Sequence, residues 1–320
     1  YSSARFNNFS DVTFKNNYVR SNNVADGGGM AVYNASTIFG NFENVIFENN
    51  YAKSDGSSAQ GGALYTTGNN ITFTNGIVNS SFIGNYVDGV NSDQTHGGAI
   101  LLGGSNNLSI IAKDGGLSEF TGNYRMFNGD ESTKEYEAIY IWDGNRILTL
   151  DANTNGTILM NDMIRSRYNT STVKLTGDET GTIKLYNAIS NAKVTADSVN
   201  IDLVNNESFD YNFVSLVSED SAKYTLDFDR TSGEADNFTV GANSTGIIYV
   251  DDLNDYGESD VNKTVQIINA KDDSIQLELN SDNIHLETDI IENLGDTVYN
   301  DKIYHQNEGY TLATTDTTND

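Results

Sequence analysis

The chain has 320 residues and carries 45 Asp plus Glu against 18 Lys plus Arg, a formal net charge of −27, with no cysteine and no proline. That balance offers phosphates no basic footprint, so it excludes nucleic acid as a partner, and it disfavours docking on anionic lipid. Without cysteine neither a disulfide framework nor a thiolate metal site can form, and no run approaches 18 consecutive apolar residues, so no segment is expected to insert into a membrane as a helix. The 18 Tyr and 14 Phe suit pleated, half-buried strands, and the lack of proline suits strands inside a sheet, where proline would delete ladder hydrogen bonds. Opening at Tyr1, the chain is expected to be a piece of a longer one.

In chain order, the first half repeats itself. Phe14-Lys15-Asn16-Asn17-Tyr18, Phe47-Glu48-Asn49-Asn50-Tyr51, Phe82-Ile83-Gly84-Asn85-Tyr86 and Phe120-Thr121-Gly122-Asn123-Tyr124 all read F-x-x-N-Y. Their spacings of about 33, 35 and 38 residues fall in the solenoid range. Polar loops follow, at Val19–Asp26, Ala52–Gln60, Val87–His96 and Arg125–Tyr136. The first three end in Gly28-Gly29-Met30-Ala31, Gly61-Gly62-Ala63-Leu64 and Gly97-Gly98-Ala99-Ile100, the fourth in Glu137-Ala138-Ile139-Tyr140. Short alternating strands are expected at 63–65, 71–73 and 81–83, separated by Gly/Asn turns. Three short strands and a loop per repeat describe one coil of a parallel β-helix, with coils stacked at about 4.8 Å. The phenylalanines are then expected to stack inward, and the Asn three residues on to take a left-handed corner and form an amide ladder. Gly-Gly supplies positive φ or a close backbone approach.

F-x-x-N followed by G-G-A-I/L is similar to the repeat signature of polymorphic outer-membrane proteins and related Gram-negative autotransporter passenger regions, over about residues 1–143. The resemblance implies an all-β fold, a single-stranded right-handed parallel β-helix (solenoid) of the pectin-lyase-like kind. It also implies an extracellular or cell-surface location, held by a C-terminal membrane barrel beyond these residues. The implied activity is adhesion to a host or bacterial surface protein or glycan, or self-association, rather than catalysis. Alternatives are a carbohydrate-active β-helix enzyme and a purely structural stalk.

Residues 144–320 lack the glycine signature but keep the punctuation. Strands are expected at 147–150, 173–175, 183–185, 194–196, 199–201, 224–228, 247–250 and 275–279, between Asn/Asp/Gly turns, with at most one helical turn at 290–294. No linker divides the halves, so one continuous rod of about 10–12 coils is expected, some 50 Å long at strand spacing.

Few residues suggest chemistry. Asp151, Asn153, Asn155 and Asp162, with Gly156 and Ile158 between, follow the head of a calcium loop, whose alternate oxygens must converge on one ion; a plain Asx turn explains the same residues. No other cofactor is expected. Asp227 and Asp229, beside Arg230, share one strand face about 7 Å apart, within the separation of an inverting glycosidase, whereas the neighbours in Asp251-Asp252 and in Asp272-Asp273 face opposite sides. His96 reads as a solvent-exposed loop residue, distant in sequence from His285 and His305, and Trp142 as a rim or core aromatic. The four polar loops emerge at one corner of successive coils and are expected to line one edge of the rod, where recognition residues concentrate.

Overall fold

A computed structural model describes residues 4–256, apart from 34–35, 69–70, 220, 230 and 233, together with 264–270, 275–280 and 311–316. Every ladder among them is parallel except two hairpins, Tyr124–Phe127 with Asp130–Ile141 and Lys223–Asp229 with Glu234–Ala235. One stack runs Thr13–Lys15, Ile46–Glu48, Ser81–Ile83, Leu117–Thr121, Thr157–Met160, Thr182–Leu185, Asn200–Asp202 and Lys223–Asp229, each strand on the next coil's equivalent. The protein is an all-β parallel β-helix. Among the described residues no helix is long and apolar enough to cross a membrane.

Register follows from the repeat, because equal side chains stack when coils are in phase. Phe14 lies on Phe47, Phe47 on Phe82 and Phe82 on Phe120, with ring centroids 4.7, 4.9 and 4.7 Å apart, the strand-to-strand distance. Met160 takes over from Phe120. In the second half Leu148, Val173, Val194 and Leu216 form one inward column, and a single buried hydrophobic cluster extends from Val32 to Leu277.

The asparagine corner divides its two expected roles between neighbours. The left-handed residue is the one before the motif Asn: Asn16 (φ 57), Asn49 (φ 53), Gly84 (φ 63) and Gly122 (φ 69). The motif asparagines form the ladder. Asn17 Nδ2 donates to Asn50 Oδ1 at 3.0 Å, Asn50 to Asn85 at 2.9 Å and Asn85 to Asn123 at 2.9 Å, while the backbone N–H of each donates to the same oxygen. Asn50, Asn85 and Asn123 are fully buried, so each amide replaces the water its corner would otherwise need.

The glycine motif is shifted by one residue in the first coil. Leu64 pairs with Met30, so Gly27-Gly28-Gly29-Met30 is the equivalent of Gly61-Gly62-Ala63-Leu64. Gly61 supplies the positive φ of 60°, and Gly62 supplies the close approach: a Cβ there would lie 2.2 Å from the Gly98 carbonyl oxygen and 2.4 Å from that of Tyr86. Part of the crowding comes from the Tyr strand of the following coil. The coil after Glu137 has no such strand, since Met163–Ser166 pairs directly with Asp130–Ile141, and a side chain fits there. Arg230, Asp272, Asp273, His285, His305 and the turn at 290–294 lie outside the described residues.

Candidate functional site

Each of the four polar loops begins as a β-strand. Tyr18–Ser21, Tyr51–Ser54, Tyr86–Gly89 and Tyr124–Phe127 stack in parallel, and Ala25–Asp26 pairs with Ala59–Gln60, which His96 extends through a bridge to Gln60. Period-two alternation explains the lobe they make. Val19, Ala52 and Val87 turn one way and pack on Ala25 and Ala59 as a second small core. The tyrosines turn the other way, towards solvent.

Tyr18, Tyr51, Tyr86 and Tyr124 form an outer ladder with ring centroids 5.2, 4.8 and 5.0 Å apart and planes within 10° of parallel. Stacking covers the ring faces and leaves edges and hydroxyls outward; Tyr18, at the first coil, is 63% exposed. At the other end Lys134 Nζ sits 4.0 Å over the Tyr124 ring, and Tyr136 meets Tyr124 edge-on. Partial burial pushes Tyr86 up to about 12, and burial with nearby Glu131 and Asp88 raises Tyr124, so these hydroxyls stay protonated donors at neutral pH. The basic residues beside the ladder are paired with the next coil's acids, Arg20 with Asp55 at 2.8 Å and Lys53 with Asp88.

The lobe closes at the fourth coil. Residues 130–136 turn back antiparallel on Tyr124–Phe127, pairing Tyr124 with Tyr136 and Arg125 with Glu135. Asp130, Glu131 and Lys134 are exposed along this stretch, and charges on an outermost strand oppose further strand addition. Beneath it lies an ionic cluster. Glu137, fully buried, accepts from the Gly97 N–H at 2.8 Å and lies 3.2 Å from His96 Nδ1 and 3.3 Å from Arg165 Nε. Arg125 holds Glu135 through Nε at 2.8 Å, and Arg165 reaches the same carboxylate. Burial alone would raise Glu135; the hydrogen bond from Arg125 and the charge of Arg165 hold it below the usual carboxylate range. His96 is therefore not a solvent residue: it is buried, with its ring stacked on Tyr140 at 3.7 Å. No sequence motif marked this cluster; the signal available was the replacement of Gly98's equivalent by Glu137.

The other residues singled out from the sequence separate. Asp151 Oδ1 accepts from Asn153 Nδ2 at 2.7 Å, and Thr154 and Asn155, both at positive φ (51° and 59°), make a tight turn closed by the Gly156 N–H on the Asn153 carbonyl at 2.8 Å. Asp162 is not with them. The strand Thr157–Met160 carries it to the next corner, where its carboxylate accepts from the N–H groups of Gly122 and Asn123 at 3.0 and 2.7 Å. Among the described residues no three His, Cys, Asp or Glu side chains are placed to hold a metal ion. Asp227, buried, accepts from the N–H groups of Asn205 and Asn206, both at 2.7 Å, whereas Asp229 accepts from Thr231 N–H at 2.8 Å in the following turn. Trp142 is a rim aromatic whose ring lies 4.5 Å under the Arg167 guanidinium. Asp251 is the extra residue of a bulge, since Tyr224 pairs with Val250 and Thr225 with Asp252, so simple alternation does not place Asp251 and Asp252 on opposite faces.

No protein-family model, no curated protein and no solved structure matches the chain.

Proposed function

We propose that the chain is a surface-exposed or secreted passenger region of the Gram-negative autotransporter kind, acting by contact and without a catalytic step. Its contact surface is the loop lobe, and its role is adhesion to a host or bacterial surface protein or glycan, or association between copies. The supporting observation is the outward Tyr ladder on a lobe with its own core and its own buried ionic anchor. A tolerated insertion needs none of these, whereas recognition surfaces are held by rigid scaffolds and are rich in tyrosine. The F-x-x-N and G-G-A repeats support the same reading.

The test is display of the chain on a non-adherent bacterium, scored for attachment to epithelial cells and for clumping. The triple variant Tyr18→Ser, Tyr51→Ser, Tyr86→Ser strips the ladder while leaving the coils, with far-UV circular dichroism as the folding control. Attachment or clumping that falls to background in the variant supports the lobe as the contact surface. Attachment unchanged by the variant rejects it and favours a stalk.

A further inference from the structure

Among the described residues Arg167 is the one arginine whose guanidinium donates no hydrogen bond within the chain. Arg5, Arg20, Arg125, Arg146 and Arg165 each donate, to Asn7, Asp55, Glu135, the Gly144 carbonyl and Glu135 in turn. The ion pairs that described arginines make belong to Arg20, Arg125 and Arg165. Arg167 is exposed and lies instead over the ring of Trp142, 4.5 Å from its centroid, and 5.4 Å from that of Tyr168. In a chain of 45 acids and 18 bases this is unexpected, and the local sequence explains it. Residues 163–177 hold Arg165, Arg167 and Lys174 and no acid. The flanking carboxylates are engaged elsewhere: Asp143 Oδ2 accepts from the Gly104 N–H at 2.6 Å, and Asp162 from those of Gly122 and Asn123.

The backbone beneath these side chains is fixed. The Arg167 N–H donates to the Ile141 carbonyl at 2.9 Å, and the Arg167 carbonyl accepts from Asn191 Nδ2 at 3.1 Å. Two turns are clamped together there, the Asn145 N–H donating to Thr170 Oγ1 at 3.1 Å and Ser171 Oγ to the Asp143 carbonyl at 3.2 Å. Trp142 packs on the cluster of Tyr65, Leu101 and Tyr140. The guanidinium is therefore seated on a supported aromatic shelf with its N–H donors unspent. Tyr168, 45% exposed, and the exposed Asn169 follow it.

This chemistry limits the partner. A guanidinium fork takes a carboxylate through two parallel hydrogen bonds. An aromatic ring and an amide beside it suit the apolar face and the hydroxyls of a pyranose. A peptide has no strand edge to join, because Met163–Ser166 is paired on both sides. A polyanion meets the net charge of −27, whereas a single carboxylate on Arg167 is screened from charges more than about 8 Å away at physiological salt.

We propose that Arg167, seated on Trp142, binds the carboxylate of one acidic sugar at a glycan terminus, with Tyr168 and Asn169 receiving its ring and hydroxyls. The site does not depend on the loop lobe being a contact surface. Ligand-detected NMR titration of the full chain at pH 7 and physiological salt tests it. The probes are 3′-sialyllactose and methyl glucuronide, whose carboxylates are placed differently on the ring, with lactose and a tetraglutamate peptide for comparison. At least one acidic sugar is expected to bind, the tighter one naming the sugar class, and lactose is not. Arg167→Gln is expected to weaken binding about tenfold or more, the loss of a charge-assisted pair. Arg167→Lys keeps the charge without the fork; it is expected to bind several-fold more weakly and serves if the first variant does not fold. No binding of either acidic sugar at millimolar concentration, equal binding of lactose, tighter binding of tetraglutamate, or binding unchanged in a folded variant overturns the proposal.

Discussion

Asp162 occupies the fifth place in a ladder whose other four members are asparagines: its Oδ2 accepts from both the backbone N–H of Asn123 at 2.7 Å and the Nδ2 at 2.8 Å. Where Asn50, Asn85 and Asn123 also donate to the carbonyls of Phe14, Phe47 and Phe82, a carboxylate has nothing to give Phe120.

Burial pushes Asp162 up to about 6, against the hydrogen bonds from Asn123 and Gly122 that favour its charge. The folded protein therefore binds this proton between the ordinary Asp range and pH 6 while the unfolded chain has released it, so stability falls as pH rises through that window. Its size is at most roughly 3 kcal/mol. Asp236, pushed up to about 7 by burial with a further push from Asp227, acts in the same direction up to neutral pH. Asp162→Asn is expected to complete the ladder, raise the urea midpoint at pH 7, and flatten the part of the pH dependence between 4 and 6. A midpoint lowered at pH 7 would mean that the carboxylate is the better partner for Asn123.

Gly62 and Gly115 separate crowding from backbone strain. A Cβ on Gly62 runs into two carbonyl oxygens of the neighbouring coil, whereas one on Gly115 (φ 71) meets nothing within 4 Å. Gly115→Ala is expected to cost only the left-handed penalty, about 1–2 kcal/mol. Gly62→Ala must displace backbone and is expected to cost about 3 kcal/mol or more, comparable to the worst core changes. Urea unfolding of the two variants compares them directly, and a cost at Gly62 no greater than that at Gly115 would show that the neighbouring coil gives way to the added methyl group.

Glu137→Gln removes the carboxylate that faces His96, Arg125 and Arg165. Breaking a buried ion cluster from one side is expected to cost about 3–5 kcal/mol. The cluster pins the hairpin to the fifth coil, so limited proteolysis is expected to cut the variant within residues 127–136 at concentrations that spare the wild type. Resistance equal to wild type would place the anchor elsewhere.

The turn at Asp151, Asn153 and Asn155 is expected to give no heat with millimolar Ca²⁺, because the twelfth-position ligand, Asp162, is one strand and one corner away and already accepts three hydrogen bonds. Ca²⁺ binding that disappears in Asp151→Asn would require the two corners to rearrange.

The repeat was legible because a solenoid gives each coil the same neighbours: Phe47 meets Phe82, and Asn50 meets Asn85, in environments the sequence can only repeat. Even so, the sequence placed the left-handed residue on the motif Asn instead of on Asn49 or Gly84, and the first glycine pair one residue late. Side-chain identity does not say which of two adjacent small or polar residues bends the chain; the pairing of Met30 with Leu64 does. The lobe was legible only as four loops, because its core consists of Ala25, Ala52, Ala59, Val87 and Val19, too small and too scattered among polar residues to show an alternation.

By itself the sequence determined the parallel stacking, its period and the identity of the inward columns, since these follow from local strand chemistry repeated at the coil spacing. The tertiary structure alone decided where charged groups sit. His96 is buried because a hairpin that begins some thirty residues later folds back under it, Asp162 joins a ladder through a register set by the whole stack, and Asp251 is put out of alternation by a bulge between two strands. Each of these depends on alignment between segments distant in the chain, and a one-residue change of register reverses the face to which a strand residue points.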